Sequence, residues 1–178
     1  LVFGQQPFTS LIGMSQIEHL KYEWIWEKGN ATGFLNARRF PLKAHENVLV
    51  FAQRQHTYRP QMGRGKPFQG RSGGYSSNYG KFASRQVDNP GVRFPRTVAR
   101  FAHERGYHPT QKPTALCEYL IRTYTDPGDT VLDPCGGSGT TAVAAIRSGR
   151  EYIVFEQDPT YCLTARRRVR DELKNLTP

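Results

Sequence analysis

Apolar residues recur along this chain with two periods, and the period changes from segment to segment. Leu1-Val2-Phe3 is a short apolar run, Tyr22 to Trp26 alternates, and Asn47 to Ala52 is apolar almost throughout, so each reads as a strand. Within Thr9 to Leu20, residues Leu11, Ile12, Ile17 and Leu20 fall at helical spacing, and Gly29 to Asn36 is a turn-rich link. Further on, Thr97 to Phe101 is strand-like, and Leu116, Tyr119, Leu120, Thr123 and Tyr124 share one face of a helix. The remainder alternates: a strand over Thr130 to Asp133, a helix over Ser138 to Ser148, a strand from Glu151 to Glu156 and a helix over Pro159 to Leu173. Strands separated by helices imply an α/β sandwich.

Between Arg54 and Arg100 the periodicity stops. This segment holds ten basic residues against the single acid Asp88, which is +9 of the chain's net +10. Seven glycines lie in it, interleaved with Tyr58, Phe68, Tyr75, Tyr79, Phe82 and Phe94. A long polar stretch inside a compact domain either binds something or is a solvated insertion, and taken alone the two readings stand level. The charge points to a polyanionic partner. At 178 residues the chain is one domain's worth. It carries no signal-peptide pattern and no apolar run of membrane-spanning length, so a cytoplasmic location is expected. Cys117, Cys135 and Cys162 are odd in number and never spaced C-x-x-C, which argues against a disulfide framework and a structural zinc; no metal site is expected.

The densest chemistry lies in Val131 to Thr141, V-L-D-P-C-G-G-S-G-T-T. A strand ending in an acid, a glycine-rich turn and a helix N-terminus is the layout that nucleotide-like cofactors use, because bare amides and the positive end of a helix can approach a polar ligand. Gly136, Gly137 and Gly139 do not make G-x-G-x-x-G and no G-K-[ST] follows, so a pyrophosphate is not the expected ligand. Glu156 ends the next strand about 20 residues on, where a carboxylate accepts hydrogen bonds from a ribose diol. Upstream stands His108-Pro109-Thr110-Gln111-Lys112-Pro113.

In the order H-P-T-Q-K-P, then D-P-C-G-G-S-G-T-T, then an acid at the end of the second strand, the chain resembles the DNA amino-methyltransferases of the permuted (beta) motif order. The resemblance covers most of the chain. It implies a Rossmann-like class I methyltransferase sandwich with a mostly parallel sheet, circularly permuted, carrying an irregular basic insertion. Residues 1–53 would form the catalytic-side half, 54–104 the target-recognition insertion and 105–178 the half that binds S-adenosylmethionine. It implies transfer of that donor's methyl group to the exocyclic amine of a flipped base in double-stranded DNA, adenine N6 being favoured over cytosine N4. The residues it places around the donor are His108, Thr110, Gln111, Lys112, Asp133, Pro134, Cys135, Gly136, Gly137, Ser138, Gly139, Thr140, Thr141 and Glu156. Asp133 would orient the turn and the methionine amino group. Ser138, Thr140 and Thr141 would serve the carboxylate end, with Thr110 and the charge of Lys112. Gln6-Pro7-Phe8 corresponds to a segment beside the base pocket. Arg59, Arg64, Lys66, Arg71, Arg85 and Arg93 are the expected DNA contacts.

The family's [D/N/S]-P-P-[Y/F/W] turn, which holds the target amine, does not occur in these residues, so no catalytic residue is assigned. The nearest string, Asp158-Pro159-Thr160-Tyr161, reads as a helix cap. Without the strand that bears the turn, two sheet edges would lack partners at the centre of the sheet. The expectation is that a segment preceding Leu1, or a second chain, supplies it. Two other readings follow: a catalytically inactive methyltransferase-like nucleic-acid-binding module, and a methyltransferase of protein or RNA.

Overall fold

The computed structural model describes residues 1–176 and divides into two compact units, Leu1–Arg59 with Arg96 onward, and Pro60–Pro95. In the first unit, β1 (Val2–Gly4), β2 (Leu20–Thr32), β3 (Lys43–Phe51) and β8 (Val98–Phe101) form one sheet in the order β1-β3-β2-β8. The pairings of β3 with β1 and β2 are antiparallel, and β2 with β8 is parallel. A second sheet pairs β9 (Thr130–Asp133) in parallel with β10 (Glu151–Val154). Helices α1 (Phe8–Ser15), α2 (Thr114–Tyr124), α3 (Thr140–Ser148) and α4 (Pro159–Leu176) complete the unit. Among the described strands of this unit two pairings are antiparallel and two parallel, so the unit is mixed and includes parallel pairs without their being the majority.

Helix α2 joins the two sheets because it is apolar on two sides. Leu116 and Leu120 pack with Trp24, Trp26, Val48 and Val50 of the four-stranded sheet. Cys117 and Ile121 pack instead with Ala144 and Ala145 of α3, beside Val131 and Tyr152 of the parallel pair. Buried alanines at 144 and 145 let α2 and α3 approach closely; larger residues there would push them apart. The indoles are anchored as well as buried: Trp26 Nε1 donates to Phe101 O at 2.9 Å, and Trp24 Nε1 to the Tyr124 hydroxyl.

Strands β1 and β9 each have one partner, β3 and β10, among the described residues. A cleft of about 310 Å³ lies between them, lined by Leu1 and Phe3 on one edge, Val131, Leu132 and Asp133 on the other, and Cys117, Leu120, Ile121 and Tyr124 of α2. The walls are largely apolar, and Leu132 is 62% exposed. The parallel pair is also bare on one face, where Leu132 and Ile153 are exposed, whereas parallel strands are ordinarily covered on both.

The second unit is more regular than its composition predicts. It holds β4 (Gly63–Arg64) paired with β7 (Val92–Arg93), and a hairpin of β5 (Phe68–Ser76) and β6 (Gly80–Asn89), all antiparallel. The ladder slips between Ser72 and Gly74, where Gly73 and Gly74 have φ of +109° and +126°. A Cβ on Gly73 would strike the Ala83 carbonyl, so only glycine fits the slip.

Candidate functional site

The site grows from the C-terminal ends of β9 and β10. Asp133 closes β9, and its carboxylate accepts the Cys135 N–H at 2.9 Å and the Thr141 hydroxyl at 2.6 Å. It therefore clamps both ends of the glycine turn. Phe155 N donates to Asp133 O and Gly136 N to Phe155 O, which sews the turn to the strand beside it. The glycines are sterically required: a Cβ on Gly136 would overlap the Val154 side chain, and one on Gly139, at φ +77°, would come within 2.8 Å of the Ala165 Cβ. Gly139 is the residue before α3, so the turn delivers the chain into a helix whose first amides have no intrahelical acceptor.

Glu156 faces the same turn. One carboxylate oxygen accepts Gly137 N–H at 2.7 Å and the other Asp158 N–H at 2.8 Å. The Asp158 and Gly137 amides hold its carboxyl below the usual range, so it is an anion at neutral pH. Each oxygen keeps a second lone-pair direction for a ligand hydroxyl. The imidazole of His108 lies 4.3 Å, centroid to centroid, from the ring of Tyr161 and packs beside Gly137, where a Cβ would sit 3.5 Å from it. Asp133, Cys135, Gly137, Thr141, Glu156 and His108 are thus gathered at one end of the parallel pair. Pro134 and Cys135 are exposed on the same turn. Asp158 caps α4, accepting the Thr160 and Tyr161 N–H groups.

Other members of the expected set point elsewhere. Ser138 and Thr140 are buried, and both hydroxyls accept Arg168 Nη1, at 3.1 and 3.0 Å. The same guanidinium bonds Ser138 O, reaches Glu104 and Thr114, and stacks 4.4 Å from the Tyr107 ring centre. Gln111 is buried in this network, donating to Glu104 at 2.8 Å. Lys112 pairs with Glu46 at 3.0 Å, and Glu46 also holds the buried Lys28 at 2.7 Å. Burial raises the Glu46 carboxyl, but the two ammonium groups outweigh it and hold it below its usual range. Thr110 bonds back to His108 Nδ1. Of the carboxylate-end hydroxyls, only Thr141 lies on the Asp133 clamp. Glu104, Arg168 and Lys28 carry no local signature: Arg168 meets Glu104 across 64 residues.

Gln6, Pro7 and Phe8 stand at the start of α1, where Gln6 accepts the Ser10 hydroxyl and Phe8 is half-exposed. The expected DNA contacts also separate. Arg59 makes a two-pronged pair with Asp126 at 2.9 and 3.0 Å, and Arg93 is used inside its own unit, bonding Asn89 Oδ1 and Lys66 O. Arg64, Lys66, Arg71 and Arg85 are exposed, and their side chains make no hydrogen bond or ion pair among the described residues. Burial pushes the Cys117 thiol up to about 12, so it stays protonated and unreactive at neutral pH. No cluster of metal ligands exists among the described residues, nor a helix long and apolar enough to cross a membrane.

The chain is similar to known methyltransferases. The chain is 48% identical over 67 residues to the type II methyltransferase M2.DpnII of Streptococcus pneumoniae, which is 38% of this chain and 25% of that protein. It is 46% identical over 76 residues to the DNA adenine methyltransferase YhdJ of Escherichia coli (strain K12), 43% of this chain and 26% of the relative. The match spans about a quarter of each relative's length. The crystal structure of the M1.HpyAVI–SAM complex superposes with a TM-score of 0.64 at 26% identity, over 94% of this chain and 72% of that one. The cytosine-N4-specific PvuII DNA methyltransferase shares the fold at 18% identity, with a TM-score of 0.57 over 95% of this chain and 62% of that one. The family model described as DNA methylase, for N6 and N4 methyltransferases, matches residues 5–167, and with the acid-clamped glycine turn it establishes that this chain belongs to the DNA methylase family.

Proposed function

We propose that this chain is the donor-binding and target-recognition portion of a DNA methyltransferase acting on an exocyclic base amine, adenine N6 in preference to cytosine N4. S-adenosylmethionine fits the residues present: bare glycine backbone, an ionised carboxylate at the second strand end and a helix N-terminus converge at one place. The observation that carries the reading is the paired clamp, Asp133 on the first and last residues of the turn and Glu156 on its middle. The donor supplies a methyl already activated on a sulfonium. What these residues contribute is position: Glu156 accepts from the ribose hydroxyls, and Asp133 fixes the turn that surrounds the methionine end. Ring contact from His108 or Tyr161 closes the side of the site. The base must leave the duplex first, at a cost of about a few kcal/mol.

The cleft between β1 and β9 belongs to the same reading. Its two unpaired edges and apolar floor suit one further β-strand, drawn from a segment outside these residues or from a second chain, and that strand would bring the amine-binding turn to the site. The enzyme would then act on DNA in the cytoplasm.

The test is transfer of a tritiated methyl group from S-adenosylmethionine to duplex DNA. It is run on the chain alone and on protein that includes a strand for the cleft. Transfer by the completed protein, with donor binding by the chain alone, supports the proposal. Donor and DNA binding without transfer in both would favour the inactive nucleic-acid-binding module, and transfer to protein or RNA in place of DNA would overturn the substrate.

A further inference from the structure

The β5–β6 hairpin has two unlike faces. Residues opposite one another in an antiparallel pair share a face. Phe68 with Asn89, Gly70 with Val87 and Ser72 with Arg85 therefore lie on one side, and Gln69 with Asp88 and Arg71 with Gln86 on the other. The first side is engaged by its own unit: Arg93 stacks 4.9 Å from the Phe68 ring centre and bonds Asn89 Oδ1 at 2.9 Å. On the second side all four residues are exposed, and Gln69 Nε2 donates to Asp88 Oδ2 at 3.4 Å. The side chains of Arg71 and Gln86 make no hydrogen bond or ion pair among the described residues.

A two-stranded ribbon with a wet polar face is of marginal stability by itself, and among the described residues the Gln69–Asp88 contact is the one side-chain tie in its row of amide, carboxylate and guanidinium heads. Such heads are the ones that distinguish base edges: a guanidinium forks onto guanine O6 and N7, an amide onto adenine N6 and N7, and a carboxylate accepts from cytosine N4. A β-ribbon also has the width that the major groove of B-DNA admits. The 36-residue unit carries six basic residues and one acid, Asp88, so its field favours a polyanion.

We propose that the Gln69, Arg71, Gln86 and Asp88 face of this ribbon enters the major groove of duplex DNA and reads base edges, while Arg64 and Lys66 meet phosphates. This rests on the DNA reading above and adds to it which residues carry sequence and which carry only affinity.

Selection from a randomised duplex library, followed by sequencing of the bound fraction, tests it with the unaltered chain, Arg71→Ala, Gln86→Ala and Lys66→Ala. S-adenosylmethionine binding by each variant serves as the folding control. The expected result is a defined sequence for the unaltered chain and, in Arg71→Ala and Gln86→Ala, loss of preference at one base pair each by about 5- to 150-fold. Lys66→Ala is expected to keep the sequence, weaken all duplexes alike and lower the slope of log affinity against log salt by about 1. Variants of Arg71 and Gln86 that retain the full sequence preference overturn this inference alone, as does preference of the unaltered chain for single strands. Failure of the unaltered chain to bind any DNA overturns it together with the function on which it rests.

Discussion

Glu46 shows how charge placement at one residue governs the body of the fold. It is flanked by Lys28, whose side chain is 4% exposed, and by Lys112, so removing its charge leaves a buried ammonium uncompensated. Glu46→Gln is therefore expected to cost about 3 kcal/mol in denaturant unfolding at pH 7. The pH dependence follows from the depressed carboxyl. Its stabilisation is fully present above the ordinary value of 4.5 and is lost as pH falls through the lower folded value. The variant should consequently show a flatter acid limb between about pH 5 and 3 than the unaltered chain; parallel limbs would contradict the pairing. Gly139 is a second residue with a sharp expectation. Its φ of +77° and the nearby Ala165 make Gly139→Ala destabilising by about 1–3 kcal/mol, whereas Gly128→Ala, at φ +87° in open space, should cost only the backbone strain.

At the scale of elements, Arg168 is the knot that ties α4 to the start of α3 and, through Glu104 and Thr114, to the start of α2. Arg168→Met keeps the length of the side chain and removes five hydrogen bonds; about 3 kcal/mol of stability should go with them. Amide exchange across Ser138 to Thr141 should quicken more than across β3, and uniform quickening would show that the knot is not local to the turn. None of this was legible in the sequence, because partners 64 residues apart leave no spacing to read. The strands and helices of the first unit were legible because each buries one side, and burial of a side imposes a period. The hairpin β5–β6 was not, since its more covered face holds Gly70 and Gly74 where apolar side chains would mark a period, while Phe68 and Ser72 stay exposed, so no apolar alternation survives. Strand β2 also runs through Gly29 to Thr32, which reads as a turn; pairing of Thr32 with Lys43 overrides the local preference. Asp133 closes β9 and Glu156 lies two residues past the end of β10, both against the glycine turn that the sequence pattern singled out.

For the molecule as a whole, the divided sheet is the feature with most consequence. Two edges unpaired among the described strands, an apolar cleft of about 310 Å³ and a bare face on the parallel pair lie in one region, the one proposed above to take a further strand. Leu132 separates the stability of the chain from completion of the sheet. At 62% exposure, Leu132→Lys should change the stability of the chain alone by no more than about 0.5 kcal/mol, yet strongly reduce methyl transfer by protein that includes the cleft strand. Loss of stability in the chain alone would mean that Leu132 is already packed.

Titration calorimetry with S-adenosylmethionine reads out whether Asp133, the glycine turn and Glu156 together hold a methyl donor. One binding event is expected for the unaltered chain, weakened at least about tenfold, or about 1.4 kcal/mol, in Glu156→Ala and unchanged in Arg71→Ala. Absence of binding by the unaltered chain, or equal binding by Glu156→Ala, would contradict it.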